Sequence, residues 1–267
     1  MEFKNKVFVV TGGGNGIGRE VVLKLLSKEA IVAALDISQN GLDETKALAG
    51  EMARNLSLHI IDVTNKEQID NLPKTVLDTH KGVDAVLNVA GIIQPFIPVN
   101  DLDYTQIERV MNVNFYGPLY LIKAFLPHLL KKETQTYIAN VSSMGAFLPV
   151  PGQSVYGASK AALKLLTEGL YAELKETNVK VSIIMPGAIE TNIVQNSDVK
   201  LETNDKAKKY KALSASKAGD IILDGIAKNK LRIVVGPDAK FMDFLSRKFP
   251  KFSIDFITKK MNDLMKK

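Results

Sequence analysis

Val7-Phe8-Val9-Val10-Thr11-Gly12-Gly13-Gly14-Asn15-Gly16-Ile17-Gly18 is the stretch on which the fold turns. Four apolar residues of strand type run into a glycine-rich turn. A helix follows, with Ile17, Val21, Val22 and Leu25 at helical spacing. Glycines let the chain turn tightly and let a pyrophosphate approach the backbone, and the unpaired N–H groups at the helix start favour its negative charge. The spacing differs from Gly-x-Gly-x-x-Gly, so taken alone the turn is a weak dinucleotide signal. A triphosphate-gripping loop is disfavoured, because Arg19-Glu20 follows Gly18 where Lys and Ser or Thr are required. The bland alternative is a glycine turn with no ligand.

Outward from this stretch the same unit recurs. Short Val- and Ile-rich runs stand at Val7 to Val10, Ile31 to Leu35, Leu56 to Ile61, Ala85 to Val89, Tyr137 to Val141, Val181 to Met185 and Leu231 to Val235. Several are continuously apolar, as strands covered on both faces must be. Helical patterns lie between them, over 17–28, 40–54, 66–78, 103–131, 153–177 and 217–228. The expected fold is α/β, a doubly wound Rossmann-type sheet of about seven mostly parallel strands with helices on both faces. Residues 1–267 read as one catalytic domain. Within it, 1–150 form the mainly cofactor-binding half, 151–238 carry the catalytic helix, lid and last strand, and 239–267 are an amphipathic C-terminal extension. The irregular, Lys-rich region 186–212 follows a strand, where such folds place ligand-covering segments, and is read as the lid.

Composition narrows the function. With 267 residues, 46% of them hydrophobic, the chain can bury a large core. Cysteine is absent, which excludes disulfides, thiolate nucleophiles and Cys-ligated metals. That fits a reducing compartment, and a cytoplasmic location is expected. Met1 to Lys6 resemble no signal peptide, and no apolar run has membrane length. Residues 200–267 carry 17 Lys and Arg against 8 Asp and Glu, leaving −3 for the rest of the +6 chain. These charges are scattered among acids with no recognition module around them, so no nucleic-acid partner is expected. Neither His59, His80 nor His128 adjoins a candidate motif, and Ser143 lacks a Gly-x-Ser-x-Gly setting, which disfavours a serine hydrolase. No metal site is expected.

Asp36 ends the second strand pattern, 18 residues beyond Gly18. A carboxylate there can accept hydrogen bonds from ribose hydroxyls and would repel a 2′-phosphate, which favours NAD over NADP. Further motifs follow in order: Asp62-Val63, Asn88-Val89-Ala90-Gly91, Asn114 within Val113 to Gly117, Ser142-Ser143, Tyr156-Gly157-Ala158-Ser159-Lys160, and Pro186-Gly187-Ala188-Ile189-Glu190-Thr191. Together with Thr11 to Gly18, their order and spacing resemble the classical short-chain dehydrogenase/reductase family through about residue 236. The resemblance implies that Gly12, Asn15, Gly16, Ile17, Gly18, Asp36, Asp62, Val63, Asn88, Ala90, Gly91, Pro186, Gly187, Ile189 and Thr191 line the cofactor, with Tyr156 and Lys160 at its nicotinamide end. It also implies Asn114, Ser143, Tyr156 and Lys160 as the catalytic set. Ser142 is then left to local backbone contacts, and Asn114 to holding a water that links Lys160 to solvent.

Tyr156 and Lys160 stand one helical turn apart on one face. A free tyrosine ionises at about pH 10. A neighbouring ammonium and a positive nicotinamide would favour phenolate, giving a group that takes the alcohol proton in oxidation and returns it in reduction. Phe96, Ile97, Phe147, Leu148, Val150 and Val155 read as an apolar substrate wall, suited to a partly hydrophobic alcohol, ketone or aldehyde, or else as loop residues that pack the lid against the core. Beyond Pro237 the chain departs from the family's usual Asp-Gly-Gly ending. There Phe241, Phe244, Leu245, Phe249, Phe252, Phe256, Ile257, Met261 and Leu264 lie among lysines. Self-packing, or a homodimer or homotetramer, is the first reading of this stripe and peripheral membrane contact the lesser one. The alternative to an enzyme is a non-catalytic NAD-sensing or scaffold protein, which has no chemical need for the Tyr156 and Lys160 pair.

Overall fold

The computed structural model describes residues 2–197, 199 and 212–264. Seven strands make one sheet: β1 (Val7–Thr11), β2 (Ile31–Asp36), β3 (Leu56–Ile60), β4 (Ala85–Asn88), β5 (Thr136–Val141), β6 (Val179–Pro186) and β9 (Arg232–Val235). Their order is β3-β2-β1-β4-β5-β6-β9, and every neighbouring pair is parallel. A second sheet pairs only β7 (Ile189–Glu190) with β8 (Leu213–Ser214). The order reverses between β1 and β4, so the connections leaving these strands part in opposite directions and open a crevice at their carboxyl ends.

The apolar strands divide their side chains between two cores. Phe8 and Val10 join the core under α1 (Gly16–Ser27) and α8 (Ala215–Ala227), while Val7 and Val9 join the core under α3 (Lys66–His80), α5 (Gly117–Leu130) and α6 (Ser154–Glu173). This is why the runs show no polar alternation: both faces are covered. The helix expected over 40–54 stops earlier, as α2 (Gln39–Ala49), where Gly50 takes a left-handed φ of 54°. The single helix expected over 103–131 is in fact α4 (Tyr104–Met111), a π-helical turn at Asn112–Tyr116, and α5. A π turn admits one extra residue per turn and redirects the side chains within it. Asn114 lies in that turn, fully buried.

A short helix α7 (Ile193–Asn196) follows β7. Of the expected lid, residues 198 and 200–211 lie outside the described residues. The C-terminal extension is a helical hairpin, α9 (Pro237–Lys248) and α10 (Pro250–Leu264). Its Met242, Leu245, Ile257 and Met261 pack on Met144, Phe147, Leu148 and Val150, forming a third core on the expected substrate wall.

Candidate active site

The glycine turn is shaped by close approach. Gly12 and Gly16 have φ of 70° and 52°, in the left-handed region that glycine adopts at least cost. A Cβ on Gly18 would lie 2.0 Å from the Gly12 carbonyl oxygen, so α1 can enter here only through a glycine. Thr11 Oγ1 accepts from the N–H groups of Val89 and Ala90, at 2.9 and 3.0 Å, and binds the turn to the end of β4 across the crevice. Gly12 faces Ala90, and Gly16 faces the Thr191 side chain. No side chain caps the start of α1, since Asn15 makes no cap hydrogen bond. The free N–H groups of that turn, with the space left by absent Cβ atoms, fit a pyrophosphate. Asp36 accepts from Gly14 N–H and from Ser38 N–H, each at 3.0 Å, which holds its carboxylate at the rim beside the turn. Arg19 is held nearby by the Gly14 and Gly41 carbonyls, the Thr45 hydroxyl and the Glu44 carboxylate.

At the other end of the crevice four sequence motifs converge. A Cβ on Gly91 would stand 2.9 Å from Lys160 Nζ and 3.2 Å from Asn114 Oδ1, so these three residues adjoin. Asn114 accepts from Ile92 N–H at 3.0 Å and donates to the Ile92 carbonyl at 2.9 Å and to Ser159 Oγ at 3.0 Å. Its amide is thus spent on protein partners. Ser143 and Tyr156 meet at Gly145, where a Cβ would stand 3.4 Å from the Tyr156 ring and 3.5 Å from Ser143 Oγ, and Ser143 Oγ accepts from Gly145 N–H at 3.0 Å. Ser142 instead donates to the Lys160 carbonyl at 2.8 Å, a backbone contact 18 residues away in place of the local one expected of it.

The electrostatics differ from the sequence expectation. Burial pushes the Tyr156 phenol above its ordinary range, and the neighbouring Ser143 hydroxyl only partly offsets this. Burial also draws the Lys160 ammonium down to about 8, while its Nζ donates to the Val141 carbonyl at 3.0 Å. Both groups are therefore biased toward their neutral forms. In the protein by itself Lys160 does not make Tyr156 acidic. Desolvation of the phenol outweighs the one contact that lowers it, the Ser143 hydroxyl.

Other candidates are placed less centrally. Asn88 donates to Asn140 Oδ1 at 2.7 Å, and Asn140 donates to Thr167 Oγ1 at 2.9 Å, a buried ladder from β4 through β5 to α6. Asn88 Oδ1 is buried with no protein donor. Asp62 is exposed and accepts from the Thr64 N–H and hydroxyl, while Val63 packs against Gly117 at the start of α5. Pro186 closes β6, Gly187 N–H donates to the Val235 carbonyl at 2.9 Å, and Ile189 packs on the first core. His59 and His80 share the Ser57 hydroxyl on the β3 edge, at the far side of the sheet from the Tyr156 end.

Two residues that sequence motifs do not mark hold the site together. Gln94, fully buried, accepts the Tyr156 N–H at 2.9 Å and donates to the Gly152 carbonyl at 2.9 Å, while Gln153 donates to the Gln94 carbonyl at 2.7 Å. A distant loop thus caps the first turn of α6. Asp238, in the first turn of α9, accepts from Ala188 N–H at 2.8 Å and fills the space beside Gly187. On the lid side, Ser197 Oγ accepts from Ile93 N–H at 2.9 Å, linking the end of α7 to the loop after β4.

Comparison with known proteins agrees with this geometry. The sequence profile described as short chain dehydrogenase matches residues 6–202. SadH of Mycobacterium tuberculosis is 34% identical over 253 residues, covering 92% of this chain and 91% of its own. A Burkholderia phymatum short chain dehydrogenase/reductase solved with NAD superimposes with a TM-score of 0.86 at 24% identity, over 94% of this chain and 96% of that one. A Burkholderia cenocepacia short chain dehydrogenase solved with NADP gives 0.80 at 25% identity, over 96% and 99%. The profile match across most of the chain, on a fold that brings Ser143, Tyr156 and Lys160 to one end of the crevice, establishes that the chain belongs to the short chain dehydrogenase family.

Proposed function

We propose that this oxidoreductase interconverts a partly hydrophobic alcohol and its ketone or aldehyde with NAD as cofactor, Tyr156 moving the proton. The observation that carries the reading is the meeting of Ser143 and Tyr156 at Gly145, in the same crevice as Lys160 and the uncapped start of α1. A bound nicotinamide supplies the hydride acceptor in oxidation and the donor in reduction. Ser143 Oγ holds the reacting oxygen, and Tyr156 Oη takes the alcohol proton or returns it to the alkoxide. Lys160 holds the nicotinamide-side ribose. With the positive charge of an oxidised cofactor beside it, the Tyr156 phenol is drawn back down toward a useful range. The Asp36 carboxylate favours ribose hydroxyls over a 2′-phosphate, and Glu44 partly neutralises Arg19, the nearby cation. In this reading residues 1–150 mainly hold the cofactor, 151–238 supply the proton-transfer helix, and the chain works as a homodimer or homotetramer in the cytoplasm.

Tyr156→Phe is expected to lower kcat by at least about a hundredfold while leaving NAD affinity within about twofold, because only the proton path is removed. Absorbance at 340 nm with a panel of alcohols and carbonyls, paired with cofactor titration, measures both. Near-normal turnover in the variant overturns the Tyr156 assignment. A native chain that binds NAD yet turns over nothing across the panel supports a sensor instead.

A further inference from the structure

The outer face of the C-terminal hairpin is an exposed aromatic surface. Phe241 and Phe244 are each 55% exposed, Phe252 is 59% exposed, and Phe256 lies between Phe241 and Phe252 in ring contact with both. The hairpin already has a buried face, formed by Met242, Leu245 and Ile257 against the substrate wall. The phenylalanines form a second apolar face, turned outward, and a contiguous exposed patch of this kind marks an interaction surface.

Charge identifies the occupant. On the same two helices Lys240, Arg247, Lys248, Lys251 and Lys259 are exposed, against two exposed carboxylates, Asp255 and Asp263; Arg247 pairs with Asp243 and Lys251 with Asp255, which still leaves cations in excess. In a twofold interface the patch meets itself, which would bring these cations together as the phenylalanines came into contact, and lysine is depleted from interface cores. An anionic bilayer offers both complements at once: acyl chains for the rings and headgroup phosphates for the ammonium groups. No described helix is long and apolar enough to cross a membrane, so contact through this face is peripheral.

We infer that the α9–α10 hairpin docks the enzyme on the surface of an anionic lipid bilayer, phenylalanines in the headgroup–acyl boundary and lysines on the headgroups. The same hairpin backs the substrate wall at Phe147 and Leu148, so docking sets that wall beside the membrane. This follows from the exposed face itself and stands whichever substrate the cleft accepts.

Sedimentation of the full chain with sucrose-loaded vesicles tests it. Binding to phosphatidylcholine vesicles holding about a quarter phosphatidylserine should exceed binding to pure phosphatidylcholine by about tenfold, and fall as salt rises. The combined variant Phe244→Ser, Phe252→Ser, Phe256→Ser should lose about tenfold in lipid affinity at unchanged melting temperature, since these rings are exposed in the folded chain. Lys248→Glu with Lys251→Glu should abolish the preference for anionic lipid. A native chain that stays in the supernatant with both vesicles, or serine and glutamate variants that pellet like it, overturns the inference. So does a fall in sedimenting mass of the phenylalanine variant in the absence of lipid, which would assign the face to a second copy of the chain.

Discussion

Lys160 shows how a buried side chain trades stability for position. It is 3% exposed, and burial lowers its pKa from 10.5 to about 8. The folded chain therefore binds fewer protons here than the unfolded chain between about pH 8 and 10.5, and stability rises with pH across that window. The cost of the buried charge is fully present below pH 8, on the order of 3 kcal/mol. Lys160→Met removes this dependence. In urea denaturation at successive pH values, the native chain should gain on the variant by up to about 3 kcal/mol between pH 8 and 10.5. A difference that stays flat across the window would show that Lys160 keeps an ordinary pKa in the fold. The spacing of Tyr156 and Lys160 and the pairing of Ser142 with Ser143 could be read in sequence, because a helical turn and a strand end fix where neighbours go. The direction of the Tyr156 shift could not, since it depends on how far folding desolvates the phenol, with Gly145 and the loop after β4 brought against it only in the fold.

At the scale of elements, α6 is placed by a loop rather than by its own cap. Gln153 at its N-cap makes no side-chain cap bond, and the Tyr156 N–H is satisfied by Gln94, 62 residues earlier. Gln94→Leu keeps the volume but strands two partly buried polar groups, the Tyr156 N–H and the Gly152 carbonyl. Each costs about 1–3 kcal/mol. The expected result is a kcat lowered about tenfold or more with NAD affinity unchanged, because the residue that moves carries the proton and not the cofactor. Loss of stability with kcat intact would mean that α6 holds Tyr156 in place without this loop. The π turn at Asn112–Tyr116 belongs to the same scale. Apolar spacing over 103–131 is continuous enough to read as one helix, and the extra residue is imposed by Asn114 bonding to Ile92 and Ser159.

For the molecule as a whole, the hairpin after residue 236 is part of the site's support. Asp243 binds Arg232 of β9, Asp238 braces the Ala188 N–H, and the third core closes over Leu148, which is fully buried. A chain ending at Gly236 loses all three. It should melt lower by more than the about 2–4 °C that 1 kcal/mol produces in a domain of this size, and bind NAD more weakly because the Gly187 loop is no longer braced. Calorimetry and cofactor titration read the two effects, and unchanged NAD affinity would separate the hairpin from the cofactor loop. The sequence by itself determined the seven strands, the glycine turn and the linear order of the site motifs. These are signals carried within a few residues, by strand runs, helical spacing and residues that tolerate a left-handed turn. The order of the strands across the sheet, the Gln94 cap, the Asp238 brace and the face of the hairpin left open were decided only by tertiary structure. Each depends on contacts between segments tens of residues apart, whose meeting is fixed by how the helices cross the sheet and not by any local pattern.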